Sequence, residues 1–222
     1  MLKNMVLIIM IFLPNTFKIF ILNYFFGANI DKSAKIGFSY INCLTIIMGK
    51  NTRIGHFNII KNLSILQLCD HSEFGNFNRI TAIPLESKKH FTENLNRNPC
   101  FIMRHHSSMT GNHYMDCCGG IVIGEFSIIA GLGTSIFSHG INIHTNTQEA
   151  SGVVIGKYCM VATKSVLLKG SHLPDYSVLG AGSVLQKAYQ TPYTLYSGVP
   201  ALPIKELDKT VAFFIRENGF VT

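Results

Sequence analysis

Residues Val153 to Lys187 read VVIGKYCMVATKSVLLKGSHLPDYSVLGAGSVLQK, and every sixth residue from Ile155 is aliphatic: Ile155, Val161, Leu167, Leu173, Leu179 and Leu185. Four places after the first five of these stand Cys159, Ser165, Ser171, Ser177 and Ser183, all small. The residue just after each of the first five is Gly156, Ala162, Leu168, Pro174 or Gly180, small or turn-forming in four of the five places. A period of six is neither the 3.6 of a helix nor the 2 of a strand, although it contains the strand period three times. Each hexad can be a short extended piece and a turn, with one large aliphatic side chain pointing inward. Glycine and proline suit such turns, because one permits positive φ and the other presets φ. Hexad periodicity marks a parallel β-helix, whose coils bury their apolar faces only by stacking on one another. The fold class predicted is therefore all-β.

Upstream the same frame is weaker. Ile30 and Ile36 keep it, Asn42 misses, and Met48, Ile54 and Ile60 resume it. Leu68, Phe74 and Ile80 continue after a slip of two residues. Between Thr81 and Thr110 the repeat fails, and the polar string ESKKHFTENLNRNP reads as a loop excursion. The frame returns at Ile123 and Ile129, then breaks between Ser135 and Val153. A long loop inside a compact solenoid is uncommon and is usually functional. The predicted organisation is a helical lead-in over residues 1–27, a β-helix over 28–187 with excursions at 81–110 and 139–152, and a tail over 188–222.

The lead-in, MLKNMVLIIMIFLPNTFKIFILNYFF, is apolar but interrupted by Pro14, Asn15 and Lys18. Neither half reaches the ~20 apolar residues of a span, and no small-residue cleavage site follows. Asn15 is expected to cap a helix from Thr16 to Phe26, with Phe17, Phe20, Ile21, Tyr24 and Phe25 on one broad face. The helix is expected to pack over the end of the β-helix, and contact with a membrane surface is its second use. After Lys187 three prolines and a glycine predict irregular chain to Pro203. From Lys205 the residues Leu207, Val211, Phe214 and Ile215 predict a helix capping the far end.

With 222 residues the chain has room for one large domain or two small ones. A net charge of +7 without a Lys/Arg block or a nucleic-acid motif points away from nucleic acid and suits an anionic cofactor or an anionic membrane surface. Six cysteines without a CxxC pair suggest packed, free thiols and a reducing cytoplasm, at the inner face of the membrane if the lead-in touches it.

The hexads, the ending GAGSVLQK (Gly180 to Lys187) and the later SGVPA (Ser197 to Ala201) resemble the hexapeptide-repeat acyltransferases and their acetyltransferase branch, and the string from Arg104 to Gly124 resembles the O-acetyltransferase members acting on bacterial surface sugars. The resemblance implies a left-handed triangular parallel β-helix, a homotrimer with active sites between subunits, and acetyl-coenzyme A (acetyl-CoA) as donor to a saccharide acceptor, with no metal. It implies O-acetyl transfer in capsule or lipopolysaccharide O-antigen modification. His139, after a coil and before a loop, occupies the place of the family's general base. The string RHHSSMTGNHYMDCCGGIVIG (Arg104 to Gly124) resembles a His-x-x-Asp segment before a glycine pair, here His113, Asp116, Gly119 and Gly120. Asp116 would orient the imidazole or hold an acceptor hydroxyl, and its alternative is a local Asx turn. His113, with His144 and Glu149 from the second loop, would contact substrate. Thr163 and Ala181, one coil apart, would line the pantetheine groove, and Lys187 and Lys205 would meet the phosphates. Cys159-Met160, Leu168 and Pro174 depart from the family's usual residues along that groove. Cys117 and Cys118 read as inert buried thiols. The competing functions are a zinc hydratase of the same fold, using His139, His144 and His105 or His106, and a non-catalytic scaffold.

Overall fold

The computed structural model describes every residue except Met1, Lys88, Glu93, Leu95, Phe220 and Thr222. Its strands stack into three sheets of seven, nine and seven strands, each successive turn of the chain adding one strand to each. Pairing within the stack is parallel throughout, save a closing hairpin at the C-terminal end. The result is a three-sided parallel β-helix.

The hexad frame becomes three inward columns. In the first sheet Ile30, Met48, Leu68, Met103, Ile123, Ile155 and Leu173 stack in register. Ile36, Ile54, Phe74, Met109, Ile129, Val161 and Leu179 form the second column. Ile41, Ile60, Ile80, Met115, Ile136, Leu167 and Leu185 form the third. All are buried. Burial of one such side chain stabilises by roughly 1.5–3 kcal/mol, and stacking makes each coil's contribution depend on its neighbours.

Three expectations change here. The miss at Asn42 is a shift of one residue, because Ile41 fills the column and Asn42 points out. The first excursion is shorter than the span 81–110. Thr81 still pairs with Lys61 and Asp116, and the chain regains the stack at Cys100–Met103. Met103, Met109 and Met115 keep the hexad spacing there and do the work of the aliphatic residues. The stretch 139–152 is an ordered antiparallel hairpin, His139–Asn142 with Thr147–Ala150. It leaves the stack after Ser135–Phe137 and rejoins it at Val153–Ile155. Both excursions therefore leave by the same corner, between third and first sheets, two coils apart. Asn94 in the first donates to the Ala150 carbonyl in the second at 3.1 Å.

The lead-in forms two helices, Leu2–Met10 and Asn15–Phe26. Asn15 does not cap. Its side chain accepts from Ile36 N–H at 2.8 Å and donates to the Ala34 carbonyl at 2.9 Å. Asn23 does the same for both backbone groups of Ile30, each at 3.0 Å. Two side-chain amides thus stand in for the missing strand at the open edges of two sheets. Between them the buried Lys18 ammonium donates to the Gly37 carbonyl at 2.7 Å. The face expected to pack is the outer one: Ile19 and Leu22 are buried, whereas Phe17, Phe20, Tyr24 and Phe25 are exposed.

The opposite end closes without a capping helix. Thr194–Gly198 adds to the second sheet beside Val178–Leu179, and Ala201–Glu206 returns antiparallel on its outside. Among the described residues the only helical turn there, Ala212–Ile215, lies along a side of the prism. Phe214 meets Tyr176 and Tyr193 edge-on, and these belong to a column of stacked rings with His71, His106, Phe126 and Tyr158.

Candidate active site

Asp116 ends the strand Tyr114–Asp116, between Thr81 of the coil below and Phe137 of the coil above. Alternation from the inward Met115 turns its side chain outward, yet it is only 4% exposed, so the excursions at this corner cover it. His139 begins the hairpin one coil up, two residues beyond Phe137. Its Nδ1 hydrogen-bonds the Asp116 carboxylate through Oδ2. The other oxygen, Oδ1, accepts from Cys118 N–H at 3.1 Å.

Ser138 locks the two turns together. Its hydroxyl donates to the Asp116 carbonyl at 2.6 Å and accepts from Gly119 N–H at 2.8 Å. The glycine pair follows from this crowding. A Cβ at Gly119 would stand 2.6 Å from the Ser138 carbonyl oxygen, and Gly120 has φ of +92°. Buried Phe91, from the first excursion, sets its ring against the His139 imidazole at 5.7 Å and 78°. Arg97 lies over the Phe91 ring at 4.3 Å and donates to the carbonyls of Ile83 and Pro84, pinning that excursion.

Burial would raise the Asp116 carboxyl, but hydrogen bonds from His139 and Cys118 outweigh it and hold it below the ordinary carboxylate value. Asp116 is thus ionised at neutral pH. An ionised carboxylate at Nδ1 requires the proton there, which leaves Nε2 with a free lone pair. The arrangement is an imidazole oriented by a carboxylate, with one nitrogen able to accept a proton. Burial pushes the Cys118 thiol up to about 12 and Cys117 well above its ordinary value, so neither is a nucleophile. Asp116, Cys118 and His139 also have ligand atoms within 4.8 Å of one another, a set able to hold a metal ion once the thiol loses its proton.

On the Phe91 side of the imidazole, a cleft of about 270 Å³ opens between the two excursions, lined by Lys89, His90, Phe91, Ile141, Asn146 and Gln148 among others; His139 and Asp116 are not in its lining, and Phe91 is the residue that touches both cleft and imidazole. The Gln148 side-chain oxygen is buried with no partner among the described residues.

The other sequence-predicted residues are scattered. His113 is a rung of an internal polar ladder at the corner between second and third sheets, not a substrate contact. Asn78 accepts from His113 N–H at 3.0 Å, and His113 Nδ1 accepts from Thr134 N–H at 3.1 Å. Its Nε2–H then faces the Thr110 hydroxyl at 2.9 Å, so both ring nitrogens are used. Burial lowers its pKa to about 4. Glu149 faces Lys169 at 2.5 Å and accepts from Asn142 at 2.7 Å. His144 sits exposed in the hairpin's turn. Thr163 and Ala181 do lie on adjacent coils, with Gly182 N–H donating to the Thr163 carbonyl at 3.0 Å. The Thr163 hydroxyl is already spent on the Leu132 carbonyl at 2.8 Å. Lys205 lies on the outermost strand of the second sheet, while the Lys187 carbonyl accepts from His172 of the first. They do not share a face. His106 is stacked between His71 and Phe126, in a turn between first- and second-sheet strands and away from the corner that carries His139. Sequence reasoning missed Phe91, Arg97 and Ser138. Only Ser138, adjacent to His139, carried a positional signal.

No family model and no curated protein matches the chain. Solved structures do. A mutant of AntD, an N-acyltransferase from Bacillus cereus in complex with dTDP-4-amino-4,6-dideoxyglucose and coenzyme A, is 16% identical, with 83% of this chain and 86% of that one covered and a TM-score of 0.44. The polysialic acid O-acetyltransferase OatWY is 19% identical over 81% and 84% of the two chains, with a TM-score of 0.45. A hexapeptide-repeat acetyltransferase from Vibrio cholerae, complexed with acetyl coenzyme A, is 17% identical over 93% and 86%, also at 0.45. The chain's own hexad columns and three parallel sheets make it a hexapeptide-repeat β-helix.

Proposed function

We propose that the chain is an acetyl-CoA-dependent O-acetyltransferase acting on a sugar hydroxyl, with His139 as general base and Asp116 as the group that holds it. The observation carrying this is the His139–Asp116 pair, with Nε2 left free and Phe91 between its imidazole and an open cleft. Nε2 takes the proton of an acceptor hydroxyl as its oxygen attacks. Asp116 stabilises the imidazolium that forms, as a buried carboxylate does in other carboxylate–histidine pairs. A hydroxyl is the nucleophile that most needs such a base, which is why oxygen is preferred to nitrogen as acceptor.

The oxygen attacks the thioester carbonyl of acetyl-CoA, the C–S bond breaks, and the coenzyme A thiolate leaves with the proton that Nε2 had taken. At the corner carrying Ala181 a Cβ on Gly182 would meet nothing within 4 Å, so an extended pantetheine arm would find backbone without obstruction. Ala181 and the backbone at Thr163 are the residues proposed to hold it. The acceptor would enter the cleft between the excursions, where Gln148 offers an unpaired oxygen to a hydroxyl and Lys89 a cation to an acidic sugar. A homotrimer and a role in surface-polysaccharide modification at the cytoplasmic face of a membrane belong to the same proposal.

The test is coenzyme A release with a panel of nucleotide sugars and oligosaccharides, run beside His139→Ala. Acetyl transfer to a hydroxyl, lowered about 10²–10⁴-fold in kcat by the substitution, is the expected result. Transfer to amines alone, or full turnover without His139, would overturn the assignment.

A further inference from the structure

The two N-terminal helices bury one side only. Leu7, Met10, Ile19 and Leu22 close on the first coil. The other side presents Ile9, Phe12, Phe17, Phe20, Tyr24 and Phe25, with Phe12 and Tyr24 about three-quarters exposed, at 75% and 74%. Phe20 and Tyr24 stack at 5.7 Å on the surface, and Phe25 meets Tyr24 edge-on at 4.9 Å. A run of large apolar side chains this dense is not ordinary solvent-facing surface.

The charges around it are mostly positive. Residues 1–30 contain no aspartate or glutamate. Lys3, Lys32, Lys35 and Lys50 are exposed in the first helix and the first two coils. The Lys3 ammonium sits 6.0 Å from the Phe26 ring. Against these lysines stand Asp31, kept ionised by hydrogen bonds from Ser33, and Glu86, which lines a pocket with Lys3. Among the described residues no helix is long and apolar enough to cross a membrane. Aromatic residues on a short convex helix, with lysines at the margin, suit the headgroup boundary of a bilayer. A second copy meeting the same face about a two-fold axis would bring lysine margins together.

We propose that this face docks on an anionic lipid surface, with the helices lying in the bilayer plane and the β-helix standing off it. The proposal does not depend on the acetyl-transfer chemistry.

The full chain should cosediment with vesicles of phosphatidylcholine mixed with phosphatidylglycerol, more weakly with phosphatidylcholine alone, and less at high salt. The double variant Phe20→Ser, Phe25→Ser replaces only exposed side chains, so its circular dichroism should match the parent. Its vesicle partition should fall at least about tenfold, from the apolar area lost. Lys3→Glu with Lys35→Glu should remove the preference for phosphatidylglycerol. Failure of the parent to bind mixed vesicles at low salt would overturn the proposal, as would unchanged binding by the double variant. A molar mass from light scattering that drops to a smaller assembly in the double variant would instead assign the face to another copy.

Discussion

At the scale of single residues, two histidines, one just before Asp116 in sequence and one a coil beyond it, have opposite fates. His139 has one nitrogen spoken for and one free, whereas His113 has none free. Asp116→Asn separates holding from filling. An amide cannot be the charged acceptor of Nδ1–H, and when its NH₂ faces the ring the proton moves to Nε2, where the base is needed. The expected outcome is a loss in kcat of about 10² or more with acceptor KM little changed, measured as initial rates. A kcat within twofold of the parent would remove Asp116 from the mechanism. His113 carries a different prediction. Its folded pKa of about 4 lies below the ordinary 6.5, so between those values the unfolded chain binds the extra proton. Its contribution is intact above pH 6.5 and falls as the pH drops towards 4, by about 3 kcal/mol in all. Asn78 and Asn58 occupy the same place one and two coils down. His113→Asn should therefore fold, flatten denaturant midpoints between pH 6.5 and 4, and leave KM for the acceptor unchanged. The pattern was legible in Phe57-Asn58, Phe77-Asn78 and Asn112-His113, each just before a third-sheet strand, but a His-x-x-Asp resemblance outweighed it.

At the scale of elements, the hexads were read well where one aliphatic residue per six sufficed and poorly where another side chain filled the slot. Met103, Met109 and Met115 escaped because an excursion resets the register before them, and single-residue shifts hid Ile41 and Ile136. The excursions' shapes were not legible at all: Phe91 reaches His139 through contacts made far along the chain, which no local period encodes. The C-terminal segment shows the same limit. Leu207, Val211, Phe214 and Ile215 have helical spacing, yet the residues before them pair as a strand and only one turn of helix forms. The turn is held by the ring column. Arg216 donates to the carbonyls of Phe126 and Phe213, with its guanidinium carbon 5.4 Å from the Tyr158 ring. Phe214→Ala removes the edge contacts to Tyr176 and Tyr193, and should free this strap without unfolding the coils. Limited proteolysis should then cut between Asp208 and Gly219 at least tenfold faster, while the main melting temperature moves by only a few degrees. Unaltered cleavage would mean that the strap is held elsewhere.

At the scale of the whole molecule, a solenoid separates what holds it from what it does. Each coil touches only its neighbours, so damage at one end is paid locally before it spreads. The proposed chemistry sits on the coils carrying Asp116 and His139, several coils from the amides of Asn15 and Asn23 that finish the first one. Removing both amides as Asn15→Ala, Asn23→Ala leaves the N–H of Ile30 and Ile36 and the carbonyls of Ile30 and Ala34 without partners. Each orphaned group costs about 1–3 kcal/mol if it stays buried, and the cheaper response is for the helices to lift and let water in. Amide exchange should therefore accelerate first at Ile30 and Ile36 and through the strand Tyr40–Asn42, which the first helix covers. The strands Tyr114–Asp116 and Ser135–Phe137 should keep their protection, and kcat should be retained within about twofold at temperatures where the coils stay folded. A uniform loss of protection along the prism would show instead that the coils unfold as one cooperative block, and that the asparagine pair governs the active corner from the far end.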